Sequence, residues 1–173
     1  MALRIGLGIS DFQEVREGGY AYLDKSLLLR DLIDDGAKAI LLPRPRRFGK
    51  TTNLSMVRAY FDRAPDPAAR EARWALFADL AIAQAGPAYK AHFARYPTVA
   101  LSFKDVKTQR WEACHAGLVG VIAAAFQEHE ALLPHLSGRD AAQFQEILEG
   151  RATPVLLWES LRLLTRLLHQ IGR

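Results

Sequence analysis

Residues Ala39 to Phe61 read AILLPRPRRFGKTTNLSMVRAYF, and how this stretch is read decides the fold. Ala39 to Leu42 is a short apolar run of the kind that forms a buried strand. A loop holding Pro43, Arg44, Pro45, Arg46 and Arg47 follows, and then Phe48 and Gly49-Lys50-Thr51-Thr52. Beyond it, Leu54, Met56, Val57, Tyr60 and Phe61 recur at helical spacing. Strand, loop, Gly-Lys-Thr and helix in this order describe a phosphate-binding P-loop.

The residue types suit that chemistry. Gly49 lets the backbone approach a phosphate with no side chain in the way. The first amides of the following helix have no intrahelical acceptor and point at an anion. Lys50 can reach the β- and γ-phosphates, and the Thr51 hydroxyl can sit on Mg²⁺. One position departs from the usual pattern: five residues before Gly49 the common glycine is replaced by Arg44. The competing reading is an ordinary basic loop that caps a helix.

Three segments carry a resemblance. YLDKS at Tyr22–Ser26, RPRRFGKTTNLSM at Arg44–Met56 and LSFKDVK at Leu101–Lys107, in this order and spacing, resemble the predicted AAA-ATPase-like family. In that family the glycine-poor RPRRFGKT loop is the norm, which accounts for Arg44. The resemblance runs from about Ile5 to the end. It implies a three-layer α/β/α P-loop fold, helix-rich here with few parallel strands, and it implies ATP with Mg²⁺. The phosphate-binding set would then be Arg44, Pro45, Arg46, Arg47, Phe48, Gly49, Lys50, Thr51 and Thr52, with Thr51 on the metal. Tyr22, Asp24 and Lys25 lie where a base or ribose contact is expected; alternatively, Asp24 and Lys25 simply start a helix. ATP hydrolysis is the activity of the family by resemblance. Members commonly carry a nuclease-like domain of the PD-(D/E)xK type, and none of its pattern is visible in this sequence. The family pattern continues with a Walker B strand whose start would fall just past Arg173. Residues 1–173 are therefore expected to be the N-terminal portion of one such domain, with little or no hydrolysis and with open sheet edges that invite self-association or a partner protein.

The 173 residues are enough for one domain, and half of them are hydrophobic. Net charge is +4, and the basic residues are spread along the chain with one cluster at Arg44, Arg46, Arg47 and Lys50. A nucleic-acid-binding module would use the same cluster, and a non-catalytic interaction domain with a vestigial loop is the third reading. Cys114 is the single cysteine, so no internal disulfide can form. With no apolar run of membrane-spanning length and no visible leader, the expected compartment is the cytoplasm.

The rest of the chain reads as helices with one further strand. Ser10-Asp11-Phe12 opens a short turn and Gly18-Gly19 a loop. Ser26 is placed to cap a helix carrying Leu28, Leu29, Leu32 and Ile33 that stops at Gly36. Helical sequence runs from Ala68 to Gln84, with Trp74, Phe77 and Leu80 on one stripe, and a short helix lies around Tyr89 to Tyr96. TVALSF at Thr98–Phe103 has the composition of a strand, with Asp105 just past its end. An acid there can hold Mg²⁺ through water, although a solvated turn residue is the simpler reading. Trp111 to Glu130 is a long helix. His115, His129 and His135 share no zinc-ligand spacing with Cys114. Asp140 to Leu148 is helical. Thr153-Pro154 starts a last helix through His169, because Leu157, Leu161, Leu164 and Leu168 repeat every three or four residues. VLLWE at Val155–Glu159 is thus not a Walker B strand.

Overall fold

The computed structural model describes residues 4–43, 45 and 48–171. It divides into two compact units, residues 1–98 and 99–173. Among the described residues there is no strand and no sheet, only one isolated parallel bridge between Asp62 and Tyr96. The expected three-layer α/β/α architecture is therefore overturned, and so are the open sheet edges expected to carry association.

The first unit holds α1 (Phe12–Glu17), α2 (Leu27–Asp35), α3 (Lys50–Phe61), α4 (Pro67–Ala75), α5 (Ala81–Gln84) and α6 (Pro87–Lys90). Local chemistry sets several of these boundaries. Asp11 accepts from the Glu14 amide at 3.0 Å and starts α1. Asp66 accepts from the Ala69 amide at 2.7 Å, with Pro67 at the first position of α4. Gly36 ends α2 in the left-handed region, φ +63°, which costs a glycine little. The core gathers Phe12, Leu29, Met56, Tyr60, Phe77 and Phe93, all at most 2 % exposed. Its rings meet mostly edge to face, with Tyr60 5.3 Å from both Phe77 and Phe93. Burial pushes the Tyr60 phenol up to about 12, and its hydroxyl donates to the Tyr89 carbonyl at 3.0 Å.

Among the described residues, neither of the two segments expected as strands forms one. Around Ala39–Leu42, Leu41 is 86 % exposed, while Ile40 and Leu42 turn toward Leu54 and Val57 of α3 and Leu28 of α2. The run offers side chains that helices can cover, but among the described residues no second segment bonds to its amides. Thr98–Phe103 keeps the alternation of a strand: Val99 and Leu101 pack on the second core, and Ala100 and Ser102 face out. Period-two alternation needs only one buried side; a sheet needs a partner as well. Asp105 sits in an exposed turn.

The expected helix from Ala68 to Gln84 is interrupted after Ala75. The cause lies elsewhere in the chain. Asp24 accepts from the Ala81 amide at 2.8 Å, and Ser26 Oγ accepts from the Ile82 amide at 3.1 Å. Two side chains from the YLDKS segment thus start α5 afresh. Ser26 makes no cap bond to α2, contrary to expectation.

The second unit holds α7 (Trp111–Glu128), a 3-10 turn (Glu130–His135), α8 (Gly138–Leu148) and α9 (Pro154–Ile171). Phe126 and Phe144 meet as tilted rings, centroids 4.8 Å apart, in its core beside Ile147, Leu164 and Leu167. Thr153 Oγ1 accepts from the Leu156 amide at 3.3 Å, as a capping threonine does. The last helix forms as its leucine spacing predicts. Its buried stripe is Leu156, Ser160, Leu163, Leu164, Leu167 and Leu168, so Leu157 and Leu161 flank it. Glu159 is an exposed helical residue. No helix among the described residues is long and apolar enough to cross a membrane.

Candidate functional site at the start of helix α3

Helix α3 is held from below and open at its start. At its C-terminal end, Ala94 N donates to Tyr60 O at 2.8 Å, Tyr96 N to Phe61 O at 2.9 Å and Arg63 N to Tyr96 O at 2.8 Å. Midway, Ser55 Oγ donates to Asp11 Oδ2 at 2.5 Å and accepts from the Phe12 amide at 2.9 Å, tying α1 to α3. Partial burial raises the Asp11 carboxyl, but its bonds to Ser55 and to the Glu14 and Gln13 amides bring it below the usual carboxylate range. Met56 and Tyr60 anchor the inner face. The first turn, by contrast, presents Lys50 and Thr51 to solvent.

Gly49 precedes this turn with φ +71°. An L side chain adopts that conformation at a cost, which is the reason for glycine here. The first bond of the helix is Asn53 N to Gly49 O at 2.8 Å, so the amides before Asn53 have no intrahelical acceptor. The positive end of the helix dipole adds to the charge of Lys50.

Two hollows flank this start. One, about 190 Å³, is lined by Tyr20, Tyr22, Lys25, Gly49, Thr52 and Asn53 among others. The other, about 210 Å³ and mainly apolar, is lined by Leu28, Ile40, Leu42, Lys50, Asn53, Leu54 and Val57. The structure brings Tyr22 and Lys25 around the same hollow as Gly49 and Thr52. Asn53 borders both hollows and is only 8 % exposed. The sequence reading passed over it, although a polar residue one turn after Lys50 on a helix with a buried face is a readable signal. Lys25 Nζ donates to the Phe48 carbonyl at 3.2 Å.

The other candidates divide by what holds them. Tyr22 is built into the core edge: its ring meets Phe12 at 5.5 Å and its hydroxyl donates to Met56 Sδ at 3.1 Å. Asp24 gives one carboxylate oxygen to the Ser26 amide at 2.7 Å and the other to the Ala81 amide. Pro45 is exposed and Phe48 is 56 % exposed. Arg44, Arg46 and Arg47 lie outside the described residues. Among the described residues no group of three or more His, Cys, Asp or Glu side chains forms a metal cluster.

A glycine-started helix with a lysine and a threonine in its open first turn is an arrangement that can receive an anion. The chain matches the model of the predicted AAA-ATPase family over residues 6–153 and belongs to that family. This membership supports a nucleotide-binding module. The match ends at the residue before α9. No curated protein and no solved structure matches the chain.

Proposed function

We propose that this chain binds Mg-ATP at the start of α3. The observation that carries the reading is Gly49 in the left-handed conformation, opening a twelve-residue helix whose exposed first turn holds Lys50 and Thr51. The donor set fits the ligand. Backbone amides from Gly49 to Thr51 and the Lys50 ammonium face an anion, and an exposed threonine hydroxyl suits a hard cation that keeps most of its waters. Mg²⁺, when bound, neutralises phosphate charge; Thr51 would hold it. Phe48 and Thr52 border the phosphates, Pro45 stiffens the loop, and Arg44, Arg46 and Arg47 bring its positive charge.

The test is calorimetric titration of the chain with Mg-ATP, on wild type and Lys50→Ala. A hydrogen bond to a charged group contributes roughly 1.5–3 kcal/mol, so the variant should bind about ten- to a hundredfold more weakly. At a hundred times its dissociation constant, ATP should stabilise wild type by ~2.7 kcal/mol, a melting shift of roughly 5–10 °C for a chain of this length. No heat and no shift in folded wild type would remove the reading. Sub-micromolar binding of a random DNA duplex at ~150 mM salt, indifferent to ATP, would instead favour the nucleic-acid reading, since non-specific affinities lie near 10⁻⁴ to 10⁻⁶ M.

A further inference from the structure

We propose that Lys25 is a second phosphate-contacting cation, reaching the same anion as Lys50 from the opposite side of the start of α3. The inference rests on the nucleotide reading above and adds a residue to that site. Lys25 is half-buried, and its ammonium donates to a single neutral group, the Phe48 carbonyl. No described carboxylate forms an ion pair with it. Asp24, its neighbour in sequence, is turned to the Ser26 and Ala81 amides. A half-buried ammonium with no countercharge among the described residues favours an anionic ligand, because an anion compensates a charge that solvent reaches only in part.

The geometry gives that ligand a place. A Cβ built on Gly49 would lie 3.7 Å from Lys25 Nζ, so the ammonium stands beside the backbone position that phosphate approaches. Lys25 and Lys50 line different hollows, and Asn53 borders both. A phosphate chain at the helix start is thus reached by one ammonium from each side. Lys25 is also held from behind. The bonds of Asp24 and Ser26 to the start of α5 fix the backbone that carries it, so the charge is positioned before the ligand arrives. On binding, the ammonium exchanges the Phe48 carbonyl for a phosphate oxygen.

The experiment titrates wild type, Lys50→Ala, Lys25→Ala, Lys25→Gln and Lys25→Arg with Mg-ATP and with inorganic tripolyphosphate, at ~50 and ~200 mM salt. Lys25→Ala and Lys25→Gln should weaken both ligands about ten- to a hundredfold, with a shallower salt dependence, and Lys25→Arg should restore most of the loss. Tripolyphosphate isolates the phosphate contact from any base or ribose contact. Glutamine can still donate to the Phe48 carbonyl without a charge. If Lys25→Gln binds as wild type does while Lys25→Ala is impaired, Lys25 only tethers the loop and the proposal is wrong. It is also wrong if Lys25→Ala weakens ATP but not tripolyphosphate, or leaves both unchanged while Lys50→Ala weakens them. If folded wild type binds neither ligand, the nucleotide reading fails, and this one fails with it.

Discussion

Asp24→Ala removes two hydrogen bonds of the YLDKS segment while leaving the Ser26 Oγ bond to the Ile82 amide, and the cost can be worked from the structure. One lost bond runs to the Ala81 amide, the first donor of α5, at 2.8 Å. Deleting a side chain that accepts from a helix's first amides typically costs ~1 kcal/mol. The second lost bond, to the Ser26 amide at 2.7 Å, adds about 1 kcal/mol as an ordinary net hydrogen bond. The sum is ~2 kcal/mol, or a melting decrease of roughly 4–8 °C for a chain of this length. The sign of its pH dependence follows from the carboxyl. Partial burial pushes its pKa up, and the Ala81 and Ser26 bonds outweigh that and lower it below the ordinary value. The stabilisation is therefore full above the unfolded value near 4 and fades as pH falls through the folded one. Thermal melts of wild type and Asp24→Ala from pH 7 down to pH 3, followed by far-UV circular dichroism, should show a gap that is constant to about pH 5 and narrows below. A gap under ~1 °C at pH 7, or one that widens toward pH 3, would refute the clamp.

Gly49→Ala should lower the melting temperature by a few degrees and weaken Mg-ATP in calorimetry, because φ +71° costs an L residue roughly 1–2 kcal/mol. Phe126→Ala empties the centre of the second core beside Phe144 and should cost about 3–5 kcal/mol in urea melts. Glu159→Gln, on the exposed side of α9, should leave both melting temperature and nucleotide affinity within error; a large fall in affinity would reopen the strand reading of Val155–Glu159.

What could be read from the sequence was mainly local. The helix after Gly49 was legible because glycine, Gly-Lys-Thr and apolar spacing all lie within one continuous stretch. The helix at Pro154–Ile171 was legible from a capping Thr-Pro and a leucine repeat. The sheet expected from the sequence is absent among the described residues, because Ala39–Leu42 and Thr98–Phe103 have strand-like composition but contain nothing that names a partner strand. The six-residue helix after Asp11 is too short for periodicity to reveal and reads as a turn. At the site, the sequence placed Gly49, Lys50 and Thr51 correctly at a helix start. It did not bring Lys25 to the Phe48 carbonyl or Asp24 to Ala81, because those bonds join residues 23 and 57 positions apart. Whether a helix like Ala68–Gln84 runs on or breaks is decided by such distant acceptors, not by its own propensity.

The ties at the far end of α3 also set an order in time. Tyr60 and Phe61 take their backbone partners from Ala94 and Tyr96. The residues that close α3 into place thus leave the ribosome about 34 positions after the helix itself. At translation rates of roughly 5–20 residues per second, the start of α3 waits about 2–7 s beside an unfinished core. During that interval Tyr60 lacks Phe77, Phe93 and the Tyr89 carbonyl, and that part of the apolar face of α3 is open to chaperones. Synonymous codons that slow synthesis between Asp62 and Tyr96 would lengthen this exposed phase without altering the finished protein.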